Sequence, residues 1–415
     1  MLMQSHYKVG CDAHKHYSSF SVFDGQGRAV QRTRVDHQRG AIRSFLSRFP
    51  PGTPVAVETV GNWYWIVDEI EAAQCMPLLA HALLAKKRMG YVHKTDKLDA
   101  DGLATLLHMG TLPAVWIPPG DLRDERELPR TRMAFSKVRS MLKNRIHSTL
   151  AKYALSLPTD SDIFTAKWRP QLSALLHQLP AETRRCVEQE LELLDQLQAH
   201  IQCLEARILE RVEITPTLQR IMSIPGPAEI LSIVIDRELG SIERFPSPKH
   251  LASYSGLVPR VQASGGKVHY GRMIQQCNHY LKWAFIEAAN VVVRQRHHSN
   301  WSGKYVVRLF ERIRQRKGHA VAAGATARYL AEAPFWVLKK GEPYREPVPR
   351  PPVGLKSMVS PKQGQARAQH GSLEIREPCA RMVLIGPTLL NMLMPPRGRI
   401  DVSACPALLA GARPA

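Results

Sequence analysis

An early switch in strand pattern constrains this chain more than any other feature. Residues 7–12, 18–23 and 29–35 read as three short strands, and Asp24-Gly25-Gln26-Gly27 between the second and third is a strong hairpin signal. A helical stretch at 41–49 follows, then Pro54-Val-Ala-Val-Glu58, a buried strand ending in an acid. A helix at 63–73 and the apolar run 76–80 come next. From 96 to 108, Leu98, Leu103, Leu106 and Leu107 form the apolar set of a helix. A hairpin meander that passes into alternating strands and helices predicts a mixed α/β sheet.

Acids stand at the ends of these elements. Asp12 closes the first strand, Glu58 closes a later one, and Asp96 and Asp99 open the helix, three apart and so on one face. Carboxylates converging from two strand ends and a helix suit Mg2+ or Mn2+, which prefer oxygen ligands. Two such ions roughly 4 Å apart can stabilise the attacking and leaving oxygens of a phosphodiester displacement. Each acid alone has an ordinary explanation too. Asp96, after Thr95, suits the first turn of a helix, and Asp12 suits a turn at a strand end.

Charge narrows the class of partner. Across 415 residues, 57 Lys and Arg against 36 Asp and Glu give a net charge of +21, which points to a polyanion, with nucleic acid foremost. No apolar run is long enough to span a bilayer, and the N-terminus enters strand-like sequence with no signal-peptide core, so a cytoplasmic protein is expected. Cys11, Cys75, Cys186, Cys203, Cys277, Cys379 and Cys405 are scattered without a CxxC pair, which speaks against a zinc site or a disulfide framework.

Downstream the pattern is helical and basic. Arg130, Arg132, Lys137, Arg139, Lys143, Arg145 and Lys152 share an acid-free amphipathic stretch. Charged faces usually mix signs, so this one favours phosphate contact. Val187, Leu191, Leu194, Leu197, Ile201, Leu204, Ile208 and Val212 then mark a long helix with a coiled-coil-like seam, closed either within the chain or by self-association. Ile221-Met-Ser-Ile-Pro-Gly226-Pro-Ala-Glu-Ile-Leu looks like the hairpin of a helix-hairpin-helix element, although a plain helix-to-helix turn uses Pro and Gly equally. In Val258-Pro-Arg-Val-Gln-Ala-Ser264-Gly-Gly-Lys-Val-His-Tyr-Gly-Arg272, local chemistry is that of a turn, with Arg260, Lys267 and Arg272 around Ser264. His297-His298 could suggest a metal pair, but adjacent residues do not share a helix face, so both join the basic surface of 294–317. Beyond residue 346, Pro-rich sequence suggests a flexible extension that includes an apolar patch at 382–394.

Several of these stretches together resemble one family. Cys11-Asp12-Ala13-His14-Lys15, Glu58-Thr59-Val60-Gly61 and Lys94-Thr95-Asp96-Lys97-Leu98-Asp99-Ala100 resemble the RuvC-like DEDD domain of the insertion-sequence one-ten family of transposases. The Gly226 turn, the Ser264 stretch and Asn278-His-Tyr-Leu-Lys282 resemble that family's C-terminal transposase domain. Gly271-Arg-Met-Ile-Gln-Gln-Cys277-Asn278 departs from it, since relatives carry a more basic, glycine-containing segment there. The resemblance implies an RNase H-like fold, Asp12, Glu58, Asp96 and Asp99 as the metal-binding tetrad, and Ser264 as nucleophile.

The expected architecture is therefore an α/β RNase H-like (RuvC-like) domain at 1–120 and a basic helix with a coiled-coil-like linker at 121–215. A mainly α transposase domain at 216–345 and the extension at 346–415 complete it. The resemblance further implies a DNA recombinase that mobilises an insertion sequence through a serine–DNA intermediate, guided by a structured RNA and assembled as a homo-oligomer. Lys15, Arg130, Arg132, Lys137, Arg139, Lys143, Arg145, Arg260, Lys267 and Arg272 are the expected nucleic-acid contacts. A junction-resolving nuclease using water, a related site-specific invertase and a non-catalytic nucleic-acid-binding remnant are the alternatives.

Overall fold

Strand pairing begins at the turn the sequence marks most strongly. In this computed structural model, which describes residues 6–90, 96–159 and 161–347, Asp24 Oδ1 accepts from the backbone N–H of Gln26 and of Arg28, each at 2.9 Å. The side chains of Asp96 and Lys97 also lie outside the description, as do the extension from residue 348 onward and its patch at 382–394.

The meander β1 (Lys8–Ala13), β2 (Tyr17–Phe23) and β3 (Ala29–Asp36) is antiparallel. Helix α1 (Ala41–Leu46) leads to β4 (Pro54–Glu58), which runs parallel to β1. After α2 (Trp63–Ala72), β5 (Met76–Ala80) pairs parallel to β4. Helices α3 (Ala82–Met89) and α4 (Asp96–His108) precede a short strand, β6 (Ala114–Val115), antiparallel to β5. Among the described residues the sheet order is β3-β2-β1-β4-β5-β6, a mixed α/β arrangement consistent with an RNase H-like domain. The sixth strand had no signal in the sequence.

Alternation along β1 and β4 sends side chains to two different layers. Val9, Cys11, Val55 and Val57 join Ile42, Phe45, Ile66 and Ile70 in one core, each large apolar side chain contributing about 1.5–3 kcal/mol. On the opposite face Ala56 and Ala80 meet Ala85, Leu103 and Leu106. Small residues there let α4 lie directly on the sheet. A Cβ added to Gly10 would collide with the carbonyl oxygen of Ala100 and stand 2.7 Å from the Ala104 nitrogen.

Helix α5 (Gly120–Glu125) connects this domain to a helical arm of α6 (Glu127–Lys152), α7 (Arg169–Leu176) and α8 (Ala181–Arg211). Val187, Leu191, Leu194 and Leu197 of α8 are buried with Leu142, Ile146 and Leu150 of α6 and Leu172 and Leu176 of α7. That part of the seam closes within the chain, as an intramolecular helical hairpin.

The remaining helices are α9 (Pro216–Met222), α10 (Glu229–Leu239), α11 (Pro248–Tyr254), α12 (His279–Gln295), α13 (Ser299–Ser302), α14 (Tyr305–Lys317) and α15 (His319–Lys340). Ile221, Ile235, Leu281, Phe285, Ala288 and Leu330 lie in their shared core. In the turn between α9 and α10, Gly226 has φ 116° and a Cβ there would stand 2.7 Å from the Ala288 carbonyl oxygen, so its packing against α12 requires glycine. Between α11 and α12 a lone hairpin, β7 (Pro259–Ser264) and β8 (Lys267–Met273), projects with residues 260–273 all exposed.

The seat of α4 has a measurable cost when it is filled. Gly10→Val should destabilise the protein by about 1–3 kcal/mol or more, because the clash is with backbone rather than a movable side chain. A urea melt matching the unsubstituted protein would contradict the close approach of α4 to β1.

Candidate active site

Two strands deliver the first pair of acids. Cys11 pairs with Val57 in the parallel register, so the next residues along, Asp12 and Glu58, stand side by side at the strand ends. Asp12 lies two residues beyond Gly10, and Glu58 two beyond Ala56, so both are on the face that carries α4. Asp12 is buried, at 8% exposure, and Glu58 is half-buried.

Helix α4 runs so that its first turn reaches the same end. Its last residue, His108, lies beside Gly27 in the β2–β3 turn, where a Cβ would stand 2.8 Å from the imidazole Nε2. That turn is at the opposite end of β1 from Asp12, because Lys8 pairs with Phe23 and Asp12 with Ser19. The N-terminus of α4, opened by Asp96 and followed by half-buried Asp99, therefore points toward the ends of β1 and β4. Acids in a first helical turn also suit the positive end of the helix dipole. The side-chain position of Asp96 is outside the described residues.

Asp101 locks α4 in place. It accepts from Ser21 Oγ at 2.6 Å and from Arg32 Nε and Nη2 at 2.9 Å each, tying the helix to β2 and β3. Asn62 ties the two strand exits together, donating from Nδ2 to the carbonyl of His14 at 2.8 Å. His14 Nε2 stands 3.0 Å from Asp12 Oδ2, and the ring stacks against Tyr17. Neither Asn62 nor Asp101 had a signal of its own in the sequence. His14 sits inside the Asp12 motif, but nothing in the sequence marks its contact with Asp12.

Among the described residues no group of three His, Cys, Asp or Glu is arranged to hold a metal ion. The donor chemistry of Asp12, Glu58 and Asp99, hard carboxylate oxygens, fits a divalent cation. Cys11, although next to Asp12, does not belong to that set. Burial, reinforced by the charge of Asp12, pushes its thiol up to about 12, and it faces the opposite layer.

Ser264 occupies the last position of β7, paired with Lys267 across a two-residue Gly265-Gly266 turn. Both glycines are left-handed, at φ 56° and 74°, which a tight hairpin of this kind requires. The register also sorts the ribbon into faces. Ser264, Lys267, Gln262 and His269 share one, and Val261, Tyr270, Ala263 and Val268 share the other. Arg260, Lys267 and Arg272 are exposed and form no ion pair among the described residues.

Most cations of α6 have partners within the chain. Arg130 binds Glu238 at 2.7 Å, Arg132 binds Glu205 at 2.5 Å and Lys143 binds Asp162 at 2.5 Å. Arg145 pairs with Glu190, and Arg139 donates to Gln198 at 2.8 Å. Because α8 runs antiparallel beside α6, its acids balance a helix that looks one-sided in sequence. Lys15, Lys137 and Lys152 form no ion pair among the described residues, and Lys15 is exposed.

Thiol accessibility gives a direct check on this layering. In the folded protein a maleimide should label exposed Cys186 and Cys203 while Cys11 and Cys75 stay unmodified, as mapped by peptide mass spectrometry. Labelling of Cys11 at a comparable rate would contradict the buried position of β1.

Comparison with known proteins finds two family matches along the chain. Residues 9–155 match a transposase family of the DEDD type, and residues 218–306 match the family described as "Transposase IS116/IS110/IS902 family". A Pseudomonas aeruginosa protein named "Probable family 20 transposase" is 26% identical over 296 residues, covering 69% of this chain and 84% of that protein. The "Transposase for insertion sequence element IS1328" of Yersinia enterocolitica is 21% identical, covering 80% of this chain and 97% of that protein. The "Transposase for insertion sequence element IS1111A" of Coxiella burnetii is 26% identical, covering 61% and 69%. A DEDD-type match over the mixed α/β domain and a second transposase match over the helical domain together show that the chain belongs to the IS110/IS116 family of transposases, enzymes that act on DNA.

Proposed function

We propose that this transposase cuts and rejoins DNA through a covalent bond between Ser264 and the DNA, with Asp12, Glu58, Asp96 and Asp99 holding the Mg2+ or Mn2+ that a DEDD domain implies. The observation that carries this is the meeting of Asp12 and Glu58 at adjacent strand ends toward which the first turn of α4 points. A divalent ion bound by these carboxylates supplies charge stabilisation for the phosphoryl group and the leaving oxygen.

The chain's own contribution is positioning. Ser264 Oγ forms a bond to phosphorus while the bond from phosphorus to one bridging oxygen breaks. The hydroxyl proton leaves Oγ, and the departing oxygen takes up a proton to become a free strand end. The phosphoserine ester retains the energy of the phosphodiester, so attack by a hydroxyl end of another strand restores the serine and joins the DNA. Lys267, paired with Ser264, adds positive charge where the phosphate would sit, and Arg260 and Arg272 extend that charge toward the base of the ribbon. Open space around Gly265 and Gly266 leaves the backbone accessible to a strand.

The acids and the serine lie on different parts of the chain, and a site completed between protomers of an oligomer is part of the proposal because the family resemblance implies it. The net charge of +21 supports contact with both DNA and a structured guide RNA that chooses the sequence to be joined. Lys15, Lys137, Arg260, Lys267 and Arg272 are the phosphate contacts in this proposal. Arg130, Arg132, Arg139, Lys143 and Arg145 act first in holding α6 to its neighbours.

Incubation with Mg2+, DNA carrying the element ends and RNA transcribed from its flanks, followed by denaturation, should leave protein covalently attached to DNA. Ser264→Ala should abolish the adduct, and Asp12→Asn should slow it on the order of a hundredfold or more, the loss of several kcal/mol of charge stabilisation. Cleaved free ends that persist in Ser264→Ala would identify water as the nucleophile and overturn the serine mechanism in favour of a resolvase-like nuclease.

A further inference from the structure

One buried carboxylate stands between the acid-bearing domain and the serine-bearing hairpin. Glu238, near the end of α10, is 1% exposed. Its Oε1 accepts from Arg130 Nε at 2.7 Å, and its Oε2 accepts from Arg130 Nη2 at 3.1 Å and from Asn278 Nδ2 at 2.8 Å. Arg126, also buried, lies with Nε 3.7 Å from Oε2 and donates to the carbonyls of Arg237 and Glu238 at 2.8 and 3.1 Å.

Contacts run outward from this carboxylate in two directions. On one side Arg130 Nη1 donates to Tyr64 Oη at 3.2 Å, and Tyr64 lies in the first turn of α2, directly after the loop that leaves Glu58. Asn62, in that same loop, holds the exit of β1 through the His14 carbonyl. On the other side Asn278 caps α12, accepting from the N–H groups of Tyr280 and Leu281 at 3.0 Å each, and its own N–H donates to the Tyr254 carbonyl at 2.8 Å. The hairpin closes just before it, where Ile274 N–H donates to the Val258 carbonyl at 3.1 Å and Lys282 Nζ donates to the Ile274 carbonyl at 3.2 Å.

The electrostatics suit a fixed joint. Burial works against the charge of Arg130, but the hydrogen bonds and charge of Glu238 outweigh it and hold the guanidinium pKa above its ordinary value. Relative to apolar residues of similar volume, a buried ion cluster adds little net stability. Its hydrogen-bond directions, by contrast, allow one orientation of the parts it joins.

We propose that Glu238 is a positioning residue, which fixes the base of the Ser264 hairpin relative to the Asp12 and Glu58 strand ends through Arg130 and Tyr64 on one side and Asn278 on the other. Its kinetic consequence rests on the serine chemistry proposed above, whereas its structural consequence does not.

The test uses the full-length protein with Glu238→Gln, Asn278→Ser and Tyr64→Phe. Asn278→Ser keeps a capping oxygen for α12 while removing the amide that reaches Glu238, so it serves if Glu238→Gln fails to fold. Amide hydrogen exchange should quicken at Ile274 in Asn278→Ser, with the β1 and β4 amides of Cys11 and Val57 unchanged. At saturating DNA, adduct formation should slow by about ten- to a hundredfold with DNA affinity within about twofold, as a small misplacement produces. The rate effects of Tyr64→Phe and Asn278→Ser should be non-additive, because both act through one carboxylate. Unchanged exchange at the hairpin base, or strictly additive rate effects, would overturn the joint. Absence of any adduct in the unsubstituted protein would instead sink the serine mechanism and leave the exchange measurement to decide the joint by itself.

Discussion

Helix α4 brings its first turn toward the ends of β1 and β4 because Gly10 lets its backbone rest directly on the sheet. A larger residue there would push the helix away, and Asp96 and Asp99 with it. Asp101, held by Ser21 and Arg32, stops the helix from sliding along that seat. Close packing and one charged clamp together decide whether acids from three separate segments can meet. The chemistry proposed for the strand ends therefore depends on a contact that contains no reactive group.

Charge plays two roles that the net value of +21 does not separate. Along α6 most of the cations are structural, neutralised by acids on α8, the 161–168 loop and α10. On the β7–β8 ribbon Arg260, Lys267 and Arg272 remain exposed, on a hairpin that makes its own turn with two left-handed glycines. Helices whose cations largely pair within the fold and a cationic ribbon that projects from them fit an enzyme whose substrate is a large polyanion.

Much of the sheet was legible in the sequence because strand and turn signals agree with each other. Asp24-Gly25-Gln26-Gly27 fixes the meander, the apolar run ending at Glu58 marks a buried parallel strand, and the leucines of 96–108 place α4. The adjacency of Asp12 and Glu58 follows once the strands pair. Less visible was anything set by tertiary neighbours. The acid-free run on α6 looked like a phosphate-binding face because its partners come from segments distant in sequence, such as Glu205 and Glu190 on α8. Glu238 follows Asp236 and Arg237 at the end of an apolar helix and looks like an exposed polar end, yet it is buried between two arginines. β6 is too short for any periodicity to reveal.

In the proposed mechanism a serine at the tip of a ribbon cleaves the strand and acids at the ends of strands bind the metal. Tryptic mapping of the nuclease-trimmed protein–DNA adduct by tandem mass spectrometry tests that assignment most directly. The prediction is a nucleotide mass increment on Ser264. An increment on another residue, such as Tyr270 on the opposite face of the same ribbon, would contradict it.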